Sequence, residues 1–559
     1  MKQQSNSAMM KIAKVLGVIV AVAFLLICIA QLWALVWGGA MLKSKMQERI
    51  NSGSDGLYHF EADKVNLSLF GRSVTFRDAT ITHDQEKYNK LKSAEEADKR
   101  IYEMNLASLR VSGINIIKLI RNNEFRISGL SIKLPVIKIY NNPEISPEKE
   151  DDKAKFTLYS LFSPGLNLVE IDKIEISGGS IEMITTGKDS TTTMHIYNLN
   201  TGFHEILIDS THGASGEKLF SAEKMDFSTD SIFTTLDNGI YHLTAHNLVS
   251  SSDKNFFSIT NIVLEPQVAK FDFAHQYGYE NDRIDLLIDD ILIENASLVD
   301  MIQSETIKAG KITINKFNMH VFRDKRLKLA DVYKKLPQEM LRDLSVPVQI
   351  DTLEMVGARI SYEEFPDTGD EAGNIFFSNI DATVYNINNK QEDNAEIKIN
   401  AIGYIYGTSR LDANFNIPVY SENNLFYFSG SLEQTNATIF NEMSIPIGGV
   451  RIESAIIQKM EFKAQANTTH SQGTMKLYYD NLEVKIRDQE TGKRKGLQSF
   501  LANLLVVKNS NPKNGEFREG EMKFERDTRK AITNYCWKTI LSGMKSSIGM
   551  SAELTNEDE

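Results

Sequence analysis

The sequence predicts a mainly β protein: an N-terminal transmembrane helix, then a strand-rich body of extended or sandwich form with a few short helices and a helical C-terminal end. Three observations carry this. Residues 15–42 hold no charged side chain, period-two alternation dominates after them, and one alternating unit recurs along the chain.

The apolar run VLGVIVAVAFLLICIAQLWALVW covers 15–37. As a helix it would reach roughly 35 Å, enough for a hydrocarbon core of about 30 Å. Trp33 and Trp37 fall at its C-terminal end, where indoles favour the headgroup layer. It is too long for the apolar part of a cleaved signal, and Ile27 before Cys28 does not suit a lipoprotein signal. Lys2, Lys11 and Lys14 precede the run and Lys43, Lys45 and Arg49 follow it, so flanking charge leaves the orientation open.

Strands justify themselves by alternation: KVNLSL (64–69), SVTFRDATIT (73–82), FRISGLSIKLPVIKIY (125–140), KITINKFNMHVF (311–322) and AEIKINAIGYIYG (395–407) are rich in β-branched and aromatic residues and bounded by turn formers. Three segments align without gaps: IDKIEISGGSIEM (171–183), IDDILIENASLVD (288–300) and IDTLEMVGARISY (350–362). Apolar residues fall at relative positions 0, 3, 5 and 10 in each, and Gly178, Asn295 and Gly357 are equivalent. Both residue types tolerate positive φ, so each unit is expected to be a hairpin: strand, tight turn, returning strand. ISGLSIKLPVIKI (127–139) is a looser copy. Asp172, Asp289 and Asp351 share one place in the unit, which points to a repeated structural role.

Helical expectations are few. KYNKLKSAEEADKR (87–100) reads as a charged connection with a short exposed helix, and EISPEKEDDKAK (144–155) as a solvated loop. LADVYKKLPQEMLRDL (329–344) places Leu329, Val332, Tyr333, Leu336, Met340, Leu341 and Leu344 on one helical stripe, kinked by Pro337. GLQSFLANLLVVK (496–508) is a further candidate. Ile532, Tyr535, Cys536, Ile540, Leu541, Met544 and Ile548 form another stripe. From Thr491 to Lys545 there are twelve Lys/Arg and five Asp/Glu, a net +7 in a chain of −12, which leaves −19 elsewhere. Two roles suit this end: a cap over the last strand and its apolar layer, or contact with an anionic membrane or a partner through Arg526, Arg529, Lys530, Trp537 and Lys538. The divisions expected are 1–14 cytoplasmic, 15–42 anchor, 43–490 β body, 491–550 basic helical segment and 551–559 acidic tail.

Composition narrows the chemistry. A hydrophobic share of 42% with 24% charged residues is globular, and a net charge of −12 disfavours wrapping nucleic acid. Two cysteines, Cys28 and Cys536, cannot make a disulfide framework or a four-cysteine metal site. His242 and His246 have i, i+4 spacing but Leu243 stands where a metalloprotease needs Glu, and His204-Glu205 has no second histidine three residues on. No nucleophile elbow, P-loop or dinucleotide fingerprint occurs, so no catalytic residue, metal or cofactor is expected.

The single anchor, the strand-rich body, the I-D-x-[IL]-x-[IM]…G-x-[IL] units at 171–183 and 350–362 and the basic helical end resemble the AsmA-like envelope proteins of double-membraned bacteria, whose larger relatives include TamB. Asn295 and Asp300 depart from that pattern in the middle copy. The resemblance implies an elongated, curved, antiparallel-rich β-sheet trough lined with apolar residues, anchored in the inner membrane with its body in the periplasm. It also implies a part in phospholipid transport between inner and outer membranes, in outer-membrane homeostasis, and an outer-membrane or envelope protein partner at the C-terminal end. Alternation places Ile174, Ile176, Ile181, Met183, Ile291, Ile293, Leu298, Leu353, Met355, Ile360 and Tyr362 on the inner face. The same residues would equally fill a closed sandwich core. A membrane-tethered scaffold for envelope protein assembly, without lipid cargo, is the competing function.

Overall fold

The computed structural model describes residues 54–145 except 69–70, 95–96 and 98, residues 167–208 except 189, residues 224–296, 306–390, 395–486 and 507–550, and scattered residues of 43–51. The expected anchor, the 551–559 tail, Leu298 and most of the 144–155 and 496–508 segments lie outside the described residues. Among the described residues, no helix is long and apolar enough to cross a membrane.

Strands dominate. In chain order they are β1 (Tyr58–Ser68), β2 (Ser73–His83), β3 (Arg100–Ser112), β4 (Glu124–Ile127), β5 (Gly129–Asn141), β6 (Leu168–Thr186), β7 (Thr191–Ile208), β8 (Lys224–Leu236), β9 (Tyr241–Ser251) and β10 (Phe256–Pro266). There follow β11 (Arg283–Glu294), β12 (Ile307–Asn315), β13 (Asn318–Asp324), β14 (Val348–Phe365), β15 (Gly373–Asn388), β16 (Glu396–Ile405), β17 (Ser409–Pro418), β18 (Phe426–Leu432), β19 (Thr435–Asn436), β20 (Val450–Ala466), β21 (His470–Ile486) and β22 (Gly520–Glu525). Where the sequence suggests one body over 43–490, the chain forms two compact units: Met1–Ile262 with Glu294–Thr306, and Val263–Ile293 with Ile307–Glu559. The boundary falls inside β10.

Both units contain the same strand arrangement. In unit 1, β3 pairs antiparallel with β5, β4 and β5 pair end to end and parallel with β6, and β6 pairs antiparallel with β7. Unit 2 repeats this with β11 on β13, β12 and β13 on β14, and β14 on β15. Antiparallel neighbours then continue through β7, β8 and β9 in unit 1, and through β15, β16, β17, β18, β20, β21 and β22 in unit 2.

The 171–183 and 350–362 segments are not hairpins. Each lies inside one continuous strand, β6 or β14, and its glycine is a bulge. Gly178 has φ 67° and Gly357 φ 63°, as the residue type implied, and Asn295 beyond β11 has φ 54°. A type I′ hairpin needs two successive positive-φ residues, whereas a bulge needs one. The ladder to the next strand slips at Ile176/Gly179 and Gly179/Ile181 in unit 1, and at Met355/Ala358 and Ala358/Ile360 in unit 2. The next strand supplies the bulged amide with an acceptor in both cases: Gly178 donates to Asn200 Oδ1 (3.0 Å) and Gly357 to Asp381 Oδ1 (2.9 Å). Two residues before each acceptor stands a positive-φ asparagine, Asn198 (φ 54°) or Asn379 (φ 48°).

A second break lies seven residues on from those asparagines, at Glu205 (φ 53°) and Asn386 (φ 59°). Register sets Asp172 opposite Glu205 and Asp351 opposite Asn386, which gives the shared aspartate its place. Two interruptions of alternation explain the spacing 0, 3, 5, 10. In β6 the buried positions are Val169, Ile171, Ile174, Ile176, Gly179, Ile181 and Met183, a series that plain alternation forbids. The residue after each of these positive-φ positions is small and buried: Gly179, Ala296 (5% exposed) and Ala358 (0%).

Unit 1 closes around a continuous core running from Phe60 and Phe76 through Phe125, Ile132 and Ile176 to Phe203, Met225 and Leu248. Outside it, Asp84 caps the helix Gln85–Ser93 by accepting from the Lys87 amide (2.8 Å), and that helix has no buried residue, as its charge pattern implied. In unit 2 the helix Ile532–Ser547 packs on β21 and β22. Gly543 allows the approach, since a Cβ there would come within 2.6 Å of Met522 Cγ. Ser542 and Ser546 hydroxyls accept from the Lys523 (2.9 Å) and Glu521 (3.0 Å) amides, so the free side of β22 is hydrogen-bonded by side chains of this helix.

The 329–344 stripe is overturned. Only Pro337–Arg342 is helical, and Pro337 begins the helix, where its missing N–H costs nothing. Glu339 Oε2 accepts from the Leu336 amide (2.8 Å) and fixes that start.

Candidate functional site

Alternation across paired strands builds cross-strand rows, and one such row in unit 2 is apolar over five strands. Ile312 (β12) stands beside Leu353 (β14), then Val384 (β15), Ile399 (β16) and Phe415 (β17), and the row ends on Phe428 (β18). Next to it runs Ile314, Met355, Ala382, Ala401 and Ala413. Beyond the bulge, Met319, Ile360, Phe377 and Ile405 form a third row. Ile312, Leu353, Val384, Ile399 and Phe415 are all partly exposed. At Phe428 the row meets closed core, where Phe426 and Phe428 stack at 6.1 Å and Tyr535 of the C-terminal helix stands edge-on to Phe426 at 6.4 Å.

The internal repeat supplies a comparison. The row through Ile174, the counterpart of Leu353, is Leu130 (here from β5), Ile174, Phe203 and Met225, and these are 1%, 1%, 2% and 3% exposed. The same positions are therefore sealed in one unit and open in the other. Apolar side chains left partly open in a contiguous strip mark a surface suited to an apolar partner.

The residues placed on the inner face divide accordingly. Ile174 (1% exposed), Ile176 (2%), Ile181 (2%) and Met183 (6%) are packed core of unit 1 and line no groove. Leu353, Met355 and Ile360 lie in the open rows, and Ile291 and Ile293 are half-buried in β11. Tyr362 belongs to a polar cluster: its hydroxyl donates to Glu364, which pairs with Lys325 (2.9 Å), while Arg323 nearby grips Asp282 through two 2.7 Å bonds. Burial raises the Tyr362 hydroxyl well above its ordinary pKa, so it stays neutral, and it likewise raises the carboxyl of neighbouring Glu280. The rows' other members, Val384, Ile399 and Phe415, are missed by the recurring unit because they sit outside it. Their signal was the alternation of 373–418.

The basic C-terminal residues also divide. Arg526 is 5% exposed, donates to the Lys334 and Thr468 carbonyls and stacks 5.7 Å from the Tyr535 ring, and Lys530 is 8% exposed. Neither is a surface residue. Arg529 pairs with Asp527 (2.8 Å), whose carboxyl this pair holds below its ordinary range; Trp537 is 44% exposed and Lys538 half-buried. His242 lies on β9 with its ring against Phe233 (5.1 Å), and His246 and His204 lie on β9 and β7. Asp289 pairs with Lys316 (2.9 Å). Among the described residues no group of acids, histidines or cysteines could hold a metal ion.

No family model matches the chain, and no curated protein matches it.

Proposed function

We propose that unit 2 holds lipid acyl chains on the rows through Leu353 and Met355, as part of an inner-membrane-anchored periplasmic protein that contributes to phospholipid transport between two membranes and to outer-membrane homeostasis. One observation carries the reading: the row Ile312, Leu353, Val384, Ile399, Phe415 is apolar and partly exposed where its counterpart in unit 1 is sealed. A sheet with an open apolar face spares each buried methylene about 0.8 kcal/mol of transfer cost while headgroups stay in water. The apolar run at 15–42 supports the anchored placement. The sealed core of unit 1 favours the second reading, a tethered scaffold without lipid cargo.

The test is site-specific photocrosslinking of the full chain in cells fed radiolabelled phosphate. A photoreactive residue at Leu353 or Ile399 should capture labelled phospholipid, and one at Ile174 should not. Equal labelling at all three, or none, removes the carrier reading and leaves the scaffold.

A further inference from the structure

The connection from β13 to β14 is a strap tied to loops at one end of unit 2. The Lys334 amide donates to the Thr528 carbonyl (2.8 Å) and the Arg526 guanidinium returns to the Lys334 carbonyl. Gln338 Nε2 donates to Asn424 O (2.8 Å), Arg342 to Asn424 Oδ1 (2.6 Å), and Asn389 Nδ2 to Val346 O (2.9 Å). These partners follow β22, precede β18 and follow β15, so they share one end of the strands. Leu336 (0% exposed) and Gln338 (0%) anchor the strap inward.

Several of its apolar side chains are exposed, while Leu341 and Val346 are buried. Val332 is 55% exposed, Tyr333 43%, Met340 58% and Leu344 38%, and Tyr420 of the adjoining loop 39%. Tyr333 is fixed there by its hydroxyl donating to Glu339 (2.9 Å), and Tyr420 by donating to Asn389 O (2.5 Å). From 325 to 344 the chain has six Lys/Arg and three Asp/Glu, and Lys325 and Arg326 pair with Glu364 and Asp324 outside that stretch, which leaves a net +1. Asp343 is paired with Lys335 and Glu339 holds the Leu336 amide, while Lys328, Lys334 and Asp331 are exposed.

We infer that this end of unit 2 docks on an anionic lipid bilayer, with Val332, Tyr333, Met340 and Leu344 entering the interface and Lys328 and Lys334 facing lipid phosphates. Five apolar side chains held outward beside excess positive charge match a bilayer surface in both polarity and sign. The inference rests on the lipid reading only in giving it a delivery surface; docking is measured separately.

The experiment uses the full chain reconstituted in phosphatidylcholine nanodiscs, mixed with vesicles and floated on a density gradient. Vesicles of phosphatidylethanolamine and phosphatidylglycerol (3:1) should carry the protein up, and phosphatidylcholine vesicles about tenfold less. V332D/M340D should lower capture by anionic vesicles about tenfold or more, K334E should lower it only on anionic vesicles, and V249D, at another exposed apolar side chain, should leave it unchanged. Both strap sites are exposed, and far-UV circular dichroism verifies folding. Unchanged flotation of folded V332D/M340D overturns the inference. So does a wild-type dimer that this variant breaks without vesicle capture, which would make a second copy the occupant. Lipid crosslinking at Leu353 that persists alongside unchanged flotation fails the docking inference and leaves the carrier reading standing; its loss with V332D-sensitive flotation intact does the reverse.

Discussion

At single residues, backbone conformation decides more than side-chain identity. Gly178 and Gly357 hold the same left-handed bulge, yet their surroundings differ. A Cβ on Gly178 would lie 2.7 Å from Leu134 Cδ2, whereas nothing lies within 4 Å of one on Gly357. Position 357 is therefore limited by φ alone, and Asn295 shows what else fits at the equivalent place (φ 54°). Gly357→Asn should stay within about 0.5 kcal/mol of the parent in urea unfolding, while Gly357→Val should lose about 2 kcal/mol, because a β-branched side chain resists this region. Equal losses for both would mean that space, not φ, governs the site. The glycine and asparagine signals were legible in the sequence. What they signalled was not, since a one-residue bulge and a two-residue turn use the same residue types and both sit between alternating runs.

Among elements, the C-terminal helix is the most tightly specified. Ser542 and Ser546 hydrogen-bond the β22 amides, Thr539 meets Ser471 (2.7 Å), and Tyr535 is 1% exposed. The apolar stripe announced the helix, but the polar contacts were invisible in a chain read one residue at a time, because β22 and the serines meet only in three dimensions. This packing leaves an alkaline signature. Burial pushes the Cys536 thiol up to about 12 from 9.0 and the Tyr479 hydroxyl up to about 12 from 10.0. Below about pH 9 both groups are protonated in either state, and their contribution is intact. As pH rises through the unfolded values the unfolded chain loses protons first, so stability is lost progressively between about pH 9 and 12. The urea midpoint should fall from pH 8.5 to pH 10.5, and fall less in C536A. Identical drops in the two proteins would show that the thiol is not insulated.

For the whole chain, two units with one strand plan differ in how far their apolar rows are sealed, and stability should record it. Ile174→Ala should cost about 3 kcal/mol or more, as expected where a cavity opens in packed core, and Leu353→Ala about half of that. Site-specific variants unfolded in urea, followed by a probe in each unit, would measure both; a larger loss at Leu353 would mean that the unit 2 row is core after all. This difference bears on function, since a strip that can accept a ligand is one that the fold has not already filled. The β class, the recurring unit with its positive-φ residue, the charge segregation and the apolar run at 15–42 are legible along the chain, because alternation, backbone tolerance and charge are properties of sequence neighbours. That the units are bulged strands, that the body is two repeats, that Ile174 is sealed while Leu353 stays open, and that the strap exposes Val332 and Met340 follow from the folded arrangement alone. Those outcomes depend on which strands meet and what covers them, and burial is set by neighbours in space.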